Sequence, residues 1–314
     1  MDQDLQTKIA FWYYTCGITQ DEIAKRLKLT RQKVNSIIGS LKEDGIVAIS
    51  IRGCERKHLE WEHLLEQRYH LQQVIITPDY GSEELSFFKV ANAAAQYLEQ
   101  SISDGNTIGV SWGRTLAAAV GEMRFLKKSE CRVMQLMGVQ SMDGFPMKSD
   151  DIVRSLSVKL DCPSFMLYAP VLVSDPKTKE LLLNEKSIRC SMEAMEQCQI
   201  GLFGIGVLNE DAPMCQMGYL SKEDVRQLNE QGFCADIAMN PIRQDGTTDG
   251  CFLENRIINA SPQCIRRMEN AIGIASGPQK ANAVLAVLRA GLLNTLIIDC
   301  GLAEKIIKIM EEPS

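Results

Sequence analysis

Apolar and polar residues alternate with a helical period in three short segments at the start of the chain. Residues 4–14 place their apolar side chains on one face, which predicts a first helix. A second helix is predicted after Thr19, because Glu22 stands three residues later and completes a capping box. A third is predicted after Thr30 and ends near Gly45, with an inner stripe made of Val34, Ile37, Ile38 and Leu41.

Two short helices joined by a tight turn are typical of a helix-turn-helix. Residues 46–51 (Ile-Val-Ala-Ile-Ser-Ile) predict a strand, as in the wing of a winged helix. A plain three-helix bundle is the alternative interpretation, but the outer face of the third helix carries donors and acceptors suited to base edges and phosphates. The candidate DNA contacts are Arg31, Gln32 and Asn35 for bases, Thr30, Lys33 and Ser36 for phosphates, and Thr19 and Gln20 at the start of the second helix.

From residue 71 onward the pattern changes, and short apolar runs typical of strands alternate with segments of helical period. Strands are predicted at 71–77, 108–110, 132–138, 165–171, 200–207, 271–275 and 295–299, and helices at 83–101, from 115, and at 181–197, 222–231, 280–290 and 302–310. Near-continuous apolar strands indicate a doubly wound parallel sheet covered on both faces. Ligands of such sheets bind beyond the carboxyl ends of the strands.

One strand end stands out as a candidate ligand cradle. Ile108 to Val110 precede Ser111-Trp112-Gly113-Arg114-Thr115, where Gly113 permits a tight turn and the hydroxyls lie beside free amides of a new helix. Tight packing of a strand against a helix would explain the turn equally well. Glycine-rich loops at 138–140, 204–206 and 276–280 end other strands and would form the rim of a pocket.

A charged helical segment at residues 55–70 separates these two regions. It is predicted to connect them, either pairing with its copy in a dimer or packing on its own body. The predicted organisation is therefore a DNA-binding domain at 1–54, a connector helix at 55–70 and an effector and oligomerisation domain at 71–314.

Charge supports this division. The 314 residues carry a net charge of −6, but residues 1–57 hold ten Lys and Arg against seven Asp and Glu, a local +3. A basic head on an acidic body suits a protein in which only the head contacts phosphates.

The remaining composition excludes several classes of protein. The apolar runs are shorter than the roughly 18 residues of a membrane span, and no secretory pattern begins the chain, so we expect a cytoplasmic protein without membrane contact. Eleven cysteines without a CxxC pair favour reduced thiols over a disulfide framework. The histidines, His58, His63 and His70, lack matching thiol spacing, so no metal or other cofactor is expected.

The ordered motifs of the whole chain resemble the SorC family of sugar-responsive transcriptional regulators, also called the DeoR/SorC group. The residues that carry the resemblance are Tyr13-Tyr14, Gly17-Ile18-Thr19-Gln20, Ile23-Ala24, Leu29-Thr30-Arg31, Gly45-Ile46-Val47, Gly109 to Leu116, Gly204-Ile205-Gly206, Gly218-Tyr219-Leu220, Lys280, Ala290 to Asn294 and Leu296 to Asp299. It implies a winged-helix head, an effector domain of the NagB/ribose-5-phosphate isomerase-like fold, and dimers or tetramers that change their hold on operator DNA when a sugar or sugar phosphate binds.

Carried over to this sequence, the resemblance implies a defined effector pocket. Its residues would be Ser111, Trp112, Gly113, Arg114 and Thr115, with Asp236 and Lys280. Gly138, in the glycine-rich loop at 138–140, is a further candidate because it stands at a strand end rather than because of the resemblance. The carboxylate would accept hydrogen bonds from sugar hydroxyls and the ammonium would pair with phosphate. Without the resemblance, Asp236 would be interpreted as a cap or surface carboxylate and Lys280 as a solvated lysine.

This sequence departs from the family pattern at several positions. Lys28 stands where the turn glycine of the head is usual, which costs roughly 1 kcal/mol if the left-handed conformation is kept. Ala235 replaces the glycine before Asp236, Arg243 replaces an Asp, and residues 276–279 replace a Gly-Gly turn.

Two functions of other classes stay open at this point. The body could be a sugar-phosphate isomerase, although no histidine is positioned for ring opening and Asp236 has no clear acid/base partner. The cysteines could instead make the protein a thiol or metal sensor, in which case a sensor thiol would be alkylated fast as its thiolate.

Overall fold

The N-terminal helices form the three-helix core that the apolar pattern predicted. The computed structural model describes residues 3–47, 56–139, 149–216, 218 and 220–312. The head contains α1 (Gln3–Ala10), a π-helical turn (Phe11–Thr15), α2 (Gln20–Leu27) and α3 (Arg31–Ser40). Its core consists of Ile9, Ala10, Ile23, Ala24, Val34, Ile37, Ile38 and Leu41. Residues 48–51 of the predicted wing strand lie outside the described residues.

Caps fix where the two helices of the helix-turn-helix begin. The Thr19 hydroxyl accepts the Glu22 N–H in the predicted capping box, and the Thr30 hydroxyl accepts the Lys33 N–H at 3.2 Å. Between them, Lys28 adopts the left-handed conformation with φ 54°, as expected for the position of the usual turn glycine. The third α-helix ends at Ser40, four residues earlier than predicted, and continues as turns to Gly45 at φ 70°.

The second unit, Glu55–Ser314, is built on a nine-stranded sheet. Its strands are β1 (Gln73–Thr77), β2 (Thr107–Val110), β3 (Arg132–Gln135), β4 (Ser164–Phe165), β5 (Ile200–Val207), β6 (Phe233–Ile237), β7 (Asn240–Arg243), β8 (Asn270–Ala275) and β9 (Thr295–Asp299). Seven strands pair in parallel in the order β1-β9-β8-β5-β2-β3-β4. The hairpin β6–β7 adds to β5 in antiparallel orientation.

Helices cover both faces of this sheet. They are α4 (Arg56–Tyr69), α5 (Glu83–Ser101), α6 (Arg114–Glu122), α7 (Ser149–Leu160), α8 (Pro176–Asn184), α9 (Lys186–Met195), α10 (Pro213–Gln216), α11 (Lys222–Glu230), α12 (Pro262–Arg266), α13 (Ala281–Arg289) and α14 (Cys300–Glu311). In β9, Ile297 belongs to the core on one face, while Leu296 and Ile298 belong to the core on the other. The predicted doubly wound arrangement is confirmed. Each of the helices in the described residues is too short or too polar to cross a membrane.

The segment predicted to connect the domains packs on its own body. On α4, Leu65 is fully buried, and the Glu62 and Glu66 carboxylates accept the N–H groups of Ile76 at 2.8 Å and Val74 at 2.9 Å. These bonds satisfy the free amides of the edge strand β1. These contacts of α4 are made within its own chain, and pairing with its copy in a dimer stays a prediction.

Other predicted elements were wrong in extent. The strand predicted at 165–171 is limited to Ser164–Phe165, because Pro170 lacks an N–H and the following residues pair irregularly with residues 257–258. The helix predicted at 181–197 is two helices that meet at Glu185, whose ψ of 130° is extended. The first of them begins at Pro176 with Asp175 as N-cap, a start signal that the prediction overlooked.

Candidate effector site and nucleic-acid interface

The turn after β2 leaves the start of α6 open. Gly113 is the N-cap with φ 141°, and no side chain in the described part of the chain caps the helix there. Ser111 is fully buried, donates its N–H to the Leu202 carbonyl at 2.9 Å, and keeps a hydroxyl without a hydrogen-bond partner among the described residues. Free amides at a helix start attract anions, and an unpaired buried hydroxyl offers a further donor.

Two glycines on β5 let the surrounding backbone close around this turn. A Cβ on Gly204 would lie 2.9 Å from the Trp112 carbonyl oxygen, so the turn approaches β5 as closely as glycine allows. A Cβ on Gly206 would overlap Oδ1 of Asp236, its partner across the β5–β6 pair. These glycines therefore bring the residue 111–115 turn and Asp236 to neighbouring places on the same strand.

Asp236 is a buried carboxylate rather than a surface residue or helix cap. Its side chain is 4% exposed, and Oδ2 accepts the Met239 N–H at 3.2 Å. Burial raises its pKa to about 6, and the backbone bond from Met239 and the nearby Lys280 ammonium only partly offset this. The group thus titrates near neutral pH and can accept hydrogen bonds from hydroxyl groups when ionised.

Lys280 is partly buried and hydrogen-bonded instead of being a solvated lysine. Its Nζ donates to the Ile205 carbonyl at 3.0 Å. Burial and the nearby Arg114 guanidinium lower its pKa, while Asp236 and Asp299 oppose that shift. The charges of Arg114, Asp236 and Asp299 thus all act on Lys280, beyond the carboxyl ends of β8 and β9. An anion bound between Arg114 and Lys280 would relieve their mutual repulsion.

Asp299 joins this cluster although the sequence analysis did not select it. It is 4% exposed, accepts the Gly277 N–H at 2.7 Å through Oδ2 and caps α14 by accepting the Leu302 N–H at 2.9 Å through Oδ1. A signal existed in the sequence, because an aspartate at the carboxyl end of a parallel strand stands where ligands bind.

Gly138 occupies a different kind of place. It follows β3 at the same edge of the sheet, but its N–H is donated to the Ile258 carbonyl at 3.0 Å. A Cβ there would overlap the Ala169 carbonyl oxygen. Glycine at this position therefore allows close packing against residues 169–170. Because its N–H is already donated, Gly138 could contact an effector only through its carbonyl, and that role stays a prediction.

The hairpin that carries Asp236 is strained at its turn. Ala238 and Met239 have φ 48° and 63°, the arrangement of a turn that normally uses Gly or Asn, at a cost of roughly 1 kcal/mol for each residue. Asn240 Nδ2 donates to the Ile237 and Ala260 carbonyls, both at 3.0 Å, and holds the turn in place. Arg243, the departure noted above, lies 4.1 Å over the Phe233 ring and donates to backbone carbonyls. It therefore stabilises the hairpin rather than the pocket.

The outer face of the head keeps the predicted polar side chains exposed. Arg31, Gln32, Lys33, Asn35 and Ser36 are all exposed on α3. The Thr19 and Thr30 hydroxyls cap helices, Gln20 Nε2 donates to Asn35 Oδ1 at 3.3 Å, and Arg31 pairs with Asp21 at 3.6 Å. An exposed pair of this kind is weak, at about 0–1 kcal/mol, and can open when DNA binds.

Three of the cysteines do not have the character of sensor thiols. Within the described residues no group of His, Cys, Asp and Glu could hold a metal ion. Burial raises the pKa of Cys162 to about 11, of Cys198 to about 12 and of Cys264 to about 11. Because the thiolate is the reactive form, these three thiols are expected to be inert.

Comparisons with known proteins find matches for both units of the chain. Residues 56–308 match the family model described as "Putative sugar-binding domain", and residues 14–48 match a winged helix-turn-helix DNA-binding model. The chain is 26% identical to the erythritol catabolism regulatory protein of Brucella abortus over 95% of this chain and 94% of that protein. It is also 26% identical to the deoxyribonucleoside regulator of Bacillus subtilis, over 95% of both. The full-length sorbitol operon regulator of Klebsiella pneumoniae has the same fold, with a TM-score of 0.75 over 98% of this chain and 99% of that one, at 22% identity.

Proposed function

This chain belongs to the SorC family of sugar-responsive transcriptional regulators, and we propose that its effector is a sugar phosphate bound between residues 111–115, Asp236 and Lys280. It would control a carbohydrate-utilisation operon by altering its hold on operator DNA. The observation that carries the proposal is the uncapped start of α6, where the buried Ser111 hydroxyl has no partner among the described residues and the charge of Arg114 acts on Lys280. Its relatives are named as transcriptional regulators, so regulation is favoured over the isomerase alternative.

The charges favour a phosphorylated ligand over a neutral one. A phosphate would take the free amides of α6 and pair with Arg114 and Lys280, whereas a neutral sugar would leave the two cations facing each other. Asp236 would accept hydroxyl groups away from the phosphate, and the unpaired Ser111 hydroxyl would donate to a ligand oxygen.

Thermal-shift measurements on matched pairs of ligands test this proposal. The pairs are erythritol and erythritol 4-phosphate, sorbitol and sorbitol 6-phosphate, and ribose and ribose 5-phosphate. A phosphate present at 100 times its dissociation constant should add roughly 2.7 kcal/mol of stability, whereas its neutral partner should add far less at the same concentration. The same compound should release operator DNA. Equal shifts from the two members of every pair would contradict the phosphate site.

The exposed face of α3 gives a second prediction. Arg31→Ala is expected to cost on the order of 1–3 kcal/mol at the operator, because a base contact is lost, and much less on random DNA. Lys33→Ala is the matched variant for a phosphate contact, since it should weaken binding to all sequences alike and lower the salt slope by about one. Anisotropy titrations at several salt concentrations measure both. Equal losses on random DNA for the two variants would exclude Arg31 as a base contact.

Assembly is the third prediction. One winged helix buries only about 600–1,000 Å² on DNA, too little for a tight operator complex. We therefore expect a homodimer or a homotetramer on a long or repeated pseudo-palindromic site, and we favour the tetramer because it places more winged helices on the DNA. Light scattering at micromolar concentration should give a mass of two or four chains. A monomer, both with and without DNA, would refute this.

A further inference from the structure

The carboxylate of Asp299 ties the loop that carries Lys280 to the last helix. One oxygen holds the Gly277 N–H and the other holds the Leu302 N–H in the first turn of α14. Gly277 has φ 102°, a conformation in which L side chains are strained, so the loop is built for this particular bond. Since Asp299 is almost fully buried, water cannot substitute for either partner, and the loop and the start of α14 are held together.

The start of α14 in turn contacts the head-proximal end of α4. Cys300 Sγ lies 3.1 Å from Nε2 of His58, which is 5% exposed. One turn further along α14, Glu304 lies 3.8 Å from Lys57 Nζ. His58 and Lys57 belong to the first turn of α4, directly after the head unit that ends at Cys54.

The other half of α4 is fixed independently of α14. The Glu62 and Glu66 carboxylates bind the backbone of β1, and Leu65 is fully buried beneath them. A change at the start of α14 can therefore move the first turn of α4 without detaching the helix from its body. The first turn is also the part of α4 that lies nearest to the head unit along the chain.

We propose that the contacts Gly277–Asp299–Cys300–His58 couple occupancy of the effector site to the first turn of α4, with Asp299 and His58 as positioning residues. The inference rests on the proposed function above. A phosphate bound to Lys280 would compete with its bond to the Ile205 carbonyl. Drawing the ammonium toward the ligand would shift residues 277–280 and, through Asp299, the start of α14. A ligand can drive this shift only if it binds the shifted arrangement of the loop and α14 more tightly than the unshifted one.

Removing the contact on α4 tests the coupling in the full-length protein. The probe is the sugar phosphate of the panel that gives the largest thermal shift with the wild type. His58→Ala should keep that thermal shift and the operator affinity without probe, but should need about tenfold more probe for half-release of DNA. His63→Ala, an exposed histidine on the same helix, should behave as the wild type. Release by His58→Ala at the wild-type probe concentration would overturn the coupling.

A second pair of variants tests whether the effect of His58→Ala comes from loss of its contact with Cys300 rather than from a general loss of stability. Cys300→Ala should raise the half-release concentration as His58→Ala does, and the double variant should add little to either single variant, because both remove the same contact. Cys190→Ala, at an exposed cysteine of α9, should leave release unchanged. Fully additive losses in the double variant would show two independent effects and would also overturn the proposal.

Hydrogen exchange tests the coupling without any ligand. Lys280→Ala frees the loop from the Ile205 carbonyl without drawing it toward a ligand, so amides of residues 60–64 in α4 should exchange about fivefold faster than in the wild type while operator binding stays intact. Lys186→Ala, at an exposed lysine of α9, should leave them unchanged. Unchanged exchange in Lys280→Ala would overturn the coupling whichever compound binds. If the wild type fails to release DNA with every sugar phosphate while exchange in α4 still responds to Lys280→Ala, the proposed function fails and the coupling stands.

Discussion

Lys280→Ala is expected to abolish the release of operator DNA by the effector while leaving operator binding in its absence intact. The variant removes the ammonium that we propose to pair with the phosphate, and a charged hydrogen bond of this kind contributes about 1.5–3 kcal/mol, or roughly 10- to 150-fold in affinity. Operator binding is performed by the head, a separate unit that lacks this residue. Anisotropy of labelled operator DNA, titrated with the sugar phosphate, measures both quantities in one experiment.

Two further variants complete this test. Lys186→Ala, which removes an exposed ammonium from α9, should respond as the wild type. Asp236→Ala should also abolish the response, because it removes the buried acceptor for the sugar hydroxyls. If both Lys280→Ala and Asp236→Ala still release DNA at the wild-type effector concentration, the pocket lies elsewhere and the residues carried over from the family are wrong for this chain.

The sequence could predict most of the parallel sheet because its apolar runs are long and uniform. The strand predicted at 200–207 matches β5 in both limits, and that at 295–299 matches β9. It could not predict the hairpin β6–β7. Its turn residues Ala238 and Met239 carry no turn signal, since their left-handed conformations are imposed by the buried contacts of Asp236 and Asn240 rather than by residue type.

The same reasoning applies to the candidate site. Lys280 and Asp236 were selected by resemblance, and burial, which a single sequence does not reveal, places their charges close enough to interact. Asp299 was missed because its role depends on an amide from another loop, that of Gly277. Gly138 was selected as a glycine at a strand end, where packing against residues 169–170 accounts for it equally well.

The free energy of unfolding should show what it costs to keep Asp236 ionised. Its pKa is about 6 in the folded protein against the ordinary 3.8 of an aspartate, so between pH 3.8 and pH 6 the folded state keeps a proton that the unfolded state has lost. The stability that Asp236 contributes is therefore fully present below pH 3.8 and is lost as the pH rises through 6, a loss of about 3 kcal/mol at pH 8. Asparagine has the same shape and can still accept the Met239 N–H, but it does not ionise.

Asp236→Asn should accordingly be more stable than the wild type at pH 8, by up to about 3 kcal/mol, and by about half as much at pH 5. Urea unfolding followed by the fluorescence of Trp61 and Trp112, both in the second unit, measures the difference at each pH. Glu193→Gln, which removes an exposed carboxylate from α9, serves as the control and should show no such trend. A stability difference that stays constant between pH 5 and pH 8 would mean that Asp236 is not buried as a charge, and its place in the effector site would then have to be reassigned.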